Sequence, residues 1–309
     1  MGTPEFAVKA LERLYIDGHD IVCVFTQEDK PRNRGMKMSF SPVKELALLH
    51  GTPVHQPKSL RDGSALDLIN DLCCDLIAVV AYGKLLSKEI LDLPPLGCIN
   101  IHGSILPKYR GAAPIQHAII NGEKETGVTS MYMSEEMDTG DMLFFKKTNI
   151  GENDTSADLY ERLSLLGAQL LSETIDAIDR GAAKRIPQDN NDATYAPLLS
   201  KDMSPIDWTK SAHEIKCRVR GLLPWPAATM ELDGKTIKVL AVEISENCSG
   251  KTPGHILSCG KTGIEVSCSD GSVIITEVQA PGGKKMRAAD YLMGNPIKSP
   301  EIKEGPALI

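Results

Sequence analysis

Asn100 and His102 stand two residues apart in the short apolar run Cys98–His102. Alternate residues of a strand share one face, so an amide and an imidazole would point the same way. Asp138 follows 36 residues after the histidine, in the turn Met137-Asp138-Thr139-Gly140-Asp141. An amide N–H can stabilise negative charge developing on an attacked carbonyl. An imidazole can take or relay a proton near neutral pH, and a carboxylate can orient it. Such a trio needs no serine or cysteine nucleophile if the substrate brings its own. An amine with a pKa of about 7.7–8.0 would serve, being partly neutral at working pH. Each residue also has an ordinary role: a histidine packed at a strand end, an asparagine cap, an aspartate turn former. The spacing alone leaves both readings open.

These residues must be held by a sheet. The runs 21–25, 76–80, Cys98–His102, 128–133 and 142–146 read as strands. Between and after them, 5–15, 42–50, 66–72, Pro114–Ile120 and 156–178 read as helices, the last capped by Thr155-Ser156 with Asp158. Strands alternating with helices predict an α/β fold, a doubly wound, mostly parallel, Rossmann-like sheet. Its ligand crevice is expected at the carboxyl ends of the strands, where Asn100 and His102 emerge. A length of 309 residues suggests about two domains. Residues 1–181 are the expected catalytic domain. Residues 182–204, rich in Pro, Asn and Asp, read as a linker. Residues 205–309 hold a helical piece and short strands with the turn pairs Asp233-Gly234 and Asp270-Gly271. They predict a C-terminal, OB-like β-barrel of about five strands.

Composition narrows the setting. No run of about 18 uncharged apolar residues occurs, and Glu5, Lys9, Glu12 and Arg13 do not suit a secretory leader. The eight cysteines include no CxxC pair, so reduced thiols, a cytoplasmic protein and no metal site are expected. The net charge is −7, unevenly spread: residues 1–181 carry 18 basic and 26 acidic side chains, and the remainder 16 and 15. Within the acidic half, Lys30 to Lys44 holds five basic residues and no acidic one. A local positive loop of this kind suits phosphate contact, and it also suits a plain solvated loop. The sets Lys216, Arg218, Arg220 and Lys284, Lys285, Arg287 are further candidates for a phosphate-binding face.

Taken together, Asn100-x-His102, Ser104-Ile105-Leu106-Pro107-x-x-x-Gly111 and Asp138 resemble the 10-formyltetrahydrofolate-dependent formyltransferases. The resemblance implies direct, metal-free formyl transfer to an amine, with Asn100, His102 and Asp138 as the catalytic set. It implies that Ser104, Ile105, Leu106, Pro107 and Lys108 line the folate site, with Ala81, Tyr82 and Gly83 as further candidates. Four segments are similar to the family members that formylate initiator methionyl-tRNA. They are the opening Gly2-Thr3-Pro4-Glu5-Phe6-Ala7, the stretch from Lys30-Pro31-x-x-Arg34-Gly35-x-Lys37 to Ser41-Pro42-Val43-Lys44, the run Tyr109 to Gln116, and Asp207-Trp208 with Pro224-Trp225-Pro226. They imply a role in translation initiation, and a monomer suits so bulky a nucleic-acid substrate. They also imply tRNA contacts from Lys30, Arg34, Lys37 and Lys44, with the barrel as a second tRNA-binding element. The alternatives are an amino-sugar nucleotide as acceptor, whose enzymes lack the basic loop, and water, which would make the chain a formyl-folate hydrolase. The family pattern also opens with a strand ahead of Gly-Thr-Pro, whereas Met1 directly precedes Gly2. That central strand is therefore expected to be missing, and an apolar extension of about five or six residues, a typical strand length, is expected to raise stability.

Overall fold

The computed structural model describes residues 1–32, 37–60, 63–245, 250–299 and 301–304. The chain forms two compact units. The first comprises Met1–Pro114, Glu125–Thr148 and Tyr160–Ala196, and the second Ile115–Lys124, Asn149–Leu159 and Pro197–Ile309.

In the first unit, β-branched and apolar residues build a central parallel pair. Ile77–Val79 lies beside Cys98–His102 with Val79 opposite Asn100. Glu125–Tyr132 pairs antiparallel on the other side, with His102 opposite Thr129, and Met142–Asn149 is its neighbour. A second parallel pair joins Val24–Phe25 to Val54–His55, so the expected strand at 21–25 shortens to two residues. Met1 and Gly2 bridge the two pairs. Gly2 N donates to Phe25 O at 3.0 Å and Val80 N to Met1 O at 2.9 Å, and Gly2 makes a parallel bridge to Val80. The approach is close enough that a Cβ on Gly2 would lie 2.6 Å from Ala7 Cβ and 2.9 Å from Val80 O.

Alternation along the strands sends side chains to two layers. Ile77, Val79 and Cys98 join Phe25, Ala65, Ile69 and Ile90 in one core, under the helices Ser64–Asp71 and Lys88–Leu91. Ala78 and Val80 turn the other way, toward Ala7, Leu11 and Leu14 of the helix Glu5–Ile16 and Leu171 of Ser156–Asp179. Phe6 and Tyr160 meet edge to face at 5.2 Å, a favoured aromatic geometry. Gly167 lets the long helix press on the sheet: a Cβ there would be 3.0 Å from Ile101 Cγ2. Ile99 and Ile101 therefore pack under that helix, and Asn100 and His102 face the opposite layer. The long helix opens with a reciprocal cap, in which Thr155 N and Oγ1 donate to Asp158 Oδ2 at 2.9 and 2.6 Å. Residues 186–196 run hydrogen-bonded along this unit, through Ile186 to Met142 and through Thr194 and Ala196 to Arg110.

Among its described residues, the second unit builds a seven-stranded antiparallel sheet. Its order runs Ile256–Gly260, Gly263–Ser267, Ser272–Gln279, Lys235–Ser245, Ala228–Leu232, Lys303–Glu304, with Met286–Arg287 paired to Ser272–Gln279. Two short strands thus join the five expected. Asp233 and Gly234 both adopt positive φ, 48° and 73°, between Leu232 and Lys235, the two-residue turn that matches strand twist. Asp270-Gly271 instead ends a four-residue connection from Ser267 to Ser272, closed by Cys268 N to Gly271 O at 2.9 Å. The helix Ala212–Gly221 starts at a full capping box of Ser211 and Glu214 and packs on Lys235–Ser245.

Two outcomes follow from this packing. A Cβ on Gly127 would overlap Lys146 O and Ile105 Cδ1. Gly127→Ala is therefore expected to cost about 1–3 kcal/mol of stability, read as a lower urea midpoint; an unchanged midpoint would contradict the close packing. The Met1 α-ammonium donates to Ala78 O at 2.6 Å, and burial lowers its pKa from 8.0 to about 6. Between those values the unfolded chain binds the extra proton, so stability rises with pH. A polypeptide beginning at Met1 should gain on the order of 2 kcal/mol from this group between pH 6 and pH 8. Urea titrations should show that slope, and should lose it when the amine is acetylated.

Candidate active site

The strand Cys98–His102 delivers Asn100, half-buried, and His102, 6% exposed, on one face. His102 Nε2 lies 2.8 Å from Tyr109 O. A carbonyl only accepts, so Nε2 carries the hydrogen in this contact. The other ring nitrogen, Nδ1, stands 3.5 Å from Asp138 Oδ2, an electrostatic contact longer than a good hydrogen bond. The same Oδ2 accepts from Gly111 N at 2.8 Å. Asp138 has φ 57°, a left-handed conformation that most side chains avoid. Its turn is tied down by Gln188, whose Nε2 donates to Asp138 O at 2.9 Å and Gly140 O at 2.7 Å. Gln188 Oε1 in turn accepts from Arg110 Nε at 3.0 Å and Nη2 at 2.8 Å. A Cβ on Gly140 would overlap the Tyr132 carbonyl, so the turn sits directly on the neighbouring strand.

The loop after the strand is fixed mostly from beneath. Ser104 is fully buried, and its Oγ donates to Lys108 O at 2.6 Å. Thr129 Oγ1 accepts from Leu106 N at 3.1 Å and donates to Ser104 O at 2.7 Å. Leu106 is buried, the Leu106–Pro107 bond is cis, Ile105 packs over Gly127, and Lys108 is exposed. The second turn, Ala81 to Gly83, has φ 47° at Ala81 and 78° at Gly83. Thr3 Oγ1 and Gln27 Nε2 both donate to Tyr82 O, at 3.1 and 3.0 Å. The Tyr82 ring belongs to the core, where burial pushes its hydroxyl up to about 12. Tyr82 thus contributes its backbone carbonyl to this turn.

The basic segment forms a hairpin, Lys30–Arg32 paired with Lys37–Ser39. Arg34 lies outside the described residues, as does the side chain of Lys37. Lys30 is exposed and donates to Gln27 Oε1 at 3.1 Å. Lys44 is engaged at the hairpin root, 2.6 Å from Asp29 Oδ2, 2.8 Å from Gln56 Oε1 and 4.0 Å above the Phe40 ring. Hydrogen bonds from Lys44 and then Gln56 hold the Asp29 carboxyl below its usual range. In the second unit, Arg218 donates to Met203 O and Arg220 to Gly151 O and Asp154 O, while Lys285 pairs with Glu277 and Arg287 with Asp290. These cations have partners within the chain.

The structure thus brings His102 and Asp138 together, on the face that carries Asn100 and beside the loop from Ser104 to Lys108. The arrangement offers an amide, an imidazole and a carboxylate, a set suited to proton transfer and to charge stabilisation at a carbonyl. Gln188 and Thr129, which tie the surrounding turns, carried no signal of that role in the sequence. Gln188 lies in a stretch without periodicity, 50 residues from the turn it holds.

Residues 1–175 match the formyl transferase family, and residues 198–296 match its C-terminal domain. A methionyl-tRNA formyltransferase from Alkaliphilus oremlandii is 49% identical over 98% of this chain and 97% of its own length. Another from Clostridioides difficile is 45% identical over 97% of each. An N-formyltransferase from Helicobacter canadensis, solved in complex with folinic acid and dTDP-3-aminofucose, shares the fold with a TM-score of 0.67 at 19% identity, over 92% of this chain and 97% of that one. The chain belongs to the formyl transferase family.

Proposed function

We propose that the chain transfers a formyl group from 10-formyltetrahydrofolate to the α-amine of initiator methionyl-tRNA, with Asn100, His102 and Asp138 as its catalytic residues. The observation that carries this reading is the 3.5 Å approach of His102 Nδ1 to Asp138, on the strand face shared with Asn100. The relatives that match the chain end to end bear the name of that activity.

The folate donor supplies an N-formyl carbon open to attack by an amine. Asn100 offers an amide N–H to the formyl oxygen, where negative charge develops as the new C–N bond forms. His102 holds a proton at Nε2 against Tyr109 O, so Nδ1 is the nitrogen available to take the proton from the attacking amine. Asp138 stabilises the cation so formed, and His102 then returns the proton to the departing donor nitrogen. Residues 104–108 and the turn at Ala81, Tyr82 and Gly83 frame the donor, mainly with backbone. For the acceptor, Lys30, Arg34 and Lys37 are assigned to tRNA phosphates, and Lys44 is engaged with Asp29 and Gln56.

Incubation with formyl donor and, in turn, methionyl-tRNA, an amino-sugar nucleotide or water alone tests the acceptor. Formyl-methionyl-tRNA is the expected product; formylated sugar or free formate at comparable rates would overturn the assignment. Asn100→Ala should raise the barrier by about 2.7–4 kcal/mol, seen as a fall in kcat at saturating substrates. An unchanged kcat removes Asn100 from the mechanism. Arg34→Ala should raise KM for methionyl-tRNA, reduce the salt slope of its binding by about one and leave donor binding intact. Loss of donor affinity instead would contradict the placement of the hairpin on the acceptor side.

A further inference from the structure

We infer that Gln188 is a positioning residue for the transfer reaction, an inference that rests on the catalytic roles proposed above. It acts through the backbone of the turn that carries Asp138. The two hydrogens of its amide nitrogen meet two carbonyls, Asp138 O at 2.9 Å and Gly140 O at 2.7 Å. Its amide oxygen meets two N–H groups of Arg110. The orientation of the amide is thereby fixed by chemistry, because Arg110 can only donate and the carbonyls can only accept.

The Arg110 guanidinium is itself locked. Arg110 is 2% exposed, and its Nη2 also donates to Asn190 Oδ1 at 2.9 Å. Its backbone joins residues 194–196, donating to Thr194 O at 2.8 Å and accepting from Ala196 N at 2.7 Å. The next residue, Gly111, donates its N–H to the Asp138 carboxylate, and the previous one, Tyr109, presents the carbonyl that holds His102 Nε2. Tyr109, Arg110 and Gly111 therefore grip the imidazole, the Asp138 backbone by way of Gln188, and the carboxylate. Without Gln188, the left-handed Asp138 would lose the hydrogen bond at its own carbonyl and the one at Gly140 O, while its carboxylate would keep a single N–H and the turn would rest on Tyr132 N to Asp141 O and on Ser134 with Thr139. A conformation of this kind carries strain of about 1–3 kcal/mol and persists when its surroundings hold it.

A simpler role would be to satisfy the buried Arg110 alone. The two halves of the amide separate the cases. Gln188→Glu keeps an acceptor for Arg110 but sets a carboxylate oxygen against the two carbonyls. Gln188→Leu removes both functions. If Gln188 positions Asp138, both variants should lose kcat, on the order of 100-fold for a misplacement of about 1 Å, with KM for donor and for methionyl-tRNA unchanged. Amide exchange of Gly111, whose N–H is protected by the Asp138 carboxylate, should quicken in both. A Gln188→Glu variant with wild-type kcat, or with wild-type Gly111 exchange, would overturn the inference and leave a partner for Arg110. Should Gln188→Leu fail to fold, Gln188→Glu decides alone, because its contact with Arg110 supports folding. The exchange measurement needs no turnover. A wild-type chain inactive on every acceptor would therefore sink the proposed transfer, whereas unchanged exchange in an active background would sink only the role of Gln188.

Discussion

The carboxylate of Asp138 answers to two partners at once. It accepts the Gly111 N–H at 2.8 Å and stands 3.5 Å from His102 Nδ1, and the position of everything else in the site follows from keeping it there. An ionised carboxylate in a poorly solvated place needs donors. The backbone N–H supplies one without side-chain entropy, which leaves the imidazole the electrostatic partner. The imidazole cannot swing away, because its far nitrogen is held by the Tyr109 carbonyl. Proton transfer at Nδ1 would thus happen inside a frame whose parts are already in place, and preorganisation of this sort underlies electrostatic catalysis.

The sheet supplies the frame by close approach rather than by size. Gly167 brings the long helix onto Ile101, Gly127 brings Met142–Asn149 and Ile105 onto Glu125–Tyr132, and Gly140 sets the Asp138 turn on the Tyr132 carbonyl. Each is a place where a methyl group would crowd the sheet that carries the site or the turns beside it. Thr129, opposite His102 in the sheet, bonds the loop at both Ser104 and Leu106. One strand pair therefore sets His102 and the neighbouring loop together.

Much of this was legible in the chain. The shared face of Asn100 and His102 follows from strand period two, and the alternation of apolar runs with amphipathic ones gives the α/β unit. Asp233-Gly234 gives a tight hairpin because both residues tolerate positive φ. What was illegible depends on partners distant in sequence. The two residues Met1 and Gly2 stand between strands because Phe25 and Val80 bond them from either side. Lys44, in a run without carboxylates, is held by Asp29 from just outside that run. Tyr82 reads as a crevice residue, yet its ring fills a core built from Phe25, Ile77 and Ile90. Gln188 sits among prolines, asparagines and aspartates, and no local pattern shows that its amide spans a buried arginine and a turn 50 residues away. Periodicity reports which face a residue takes; it does not report what waits on that face.

The measurement closest to the central claim is a double-mutant cycle on kcat for formyl transfer, using His102→Ala, Asp138→Ala and the two combined. If the carboxylate acts through the imidazole, the double variant should be no slower than His102→Ala alone, since Asp138 has nothing left to act upon. Losses that add in full would mean that Asp138 and His102 work independently, and the account built on their contact would be wrong.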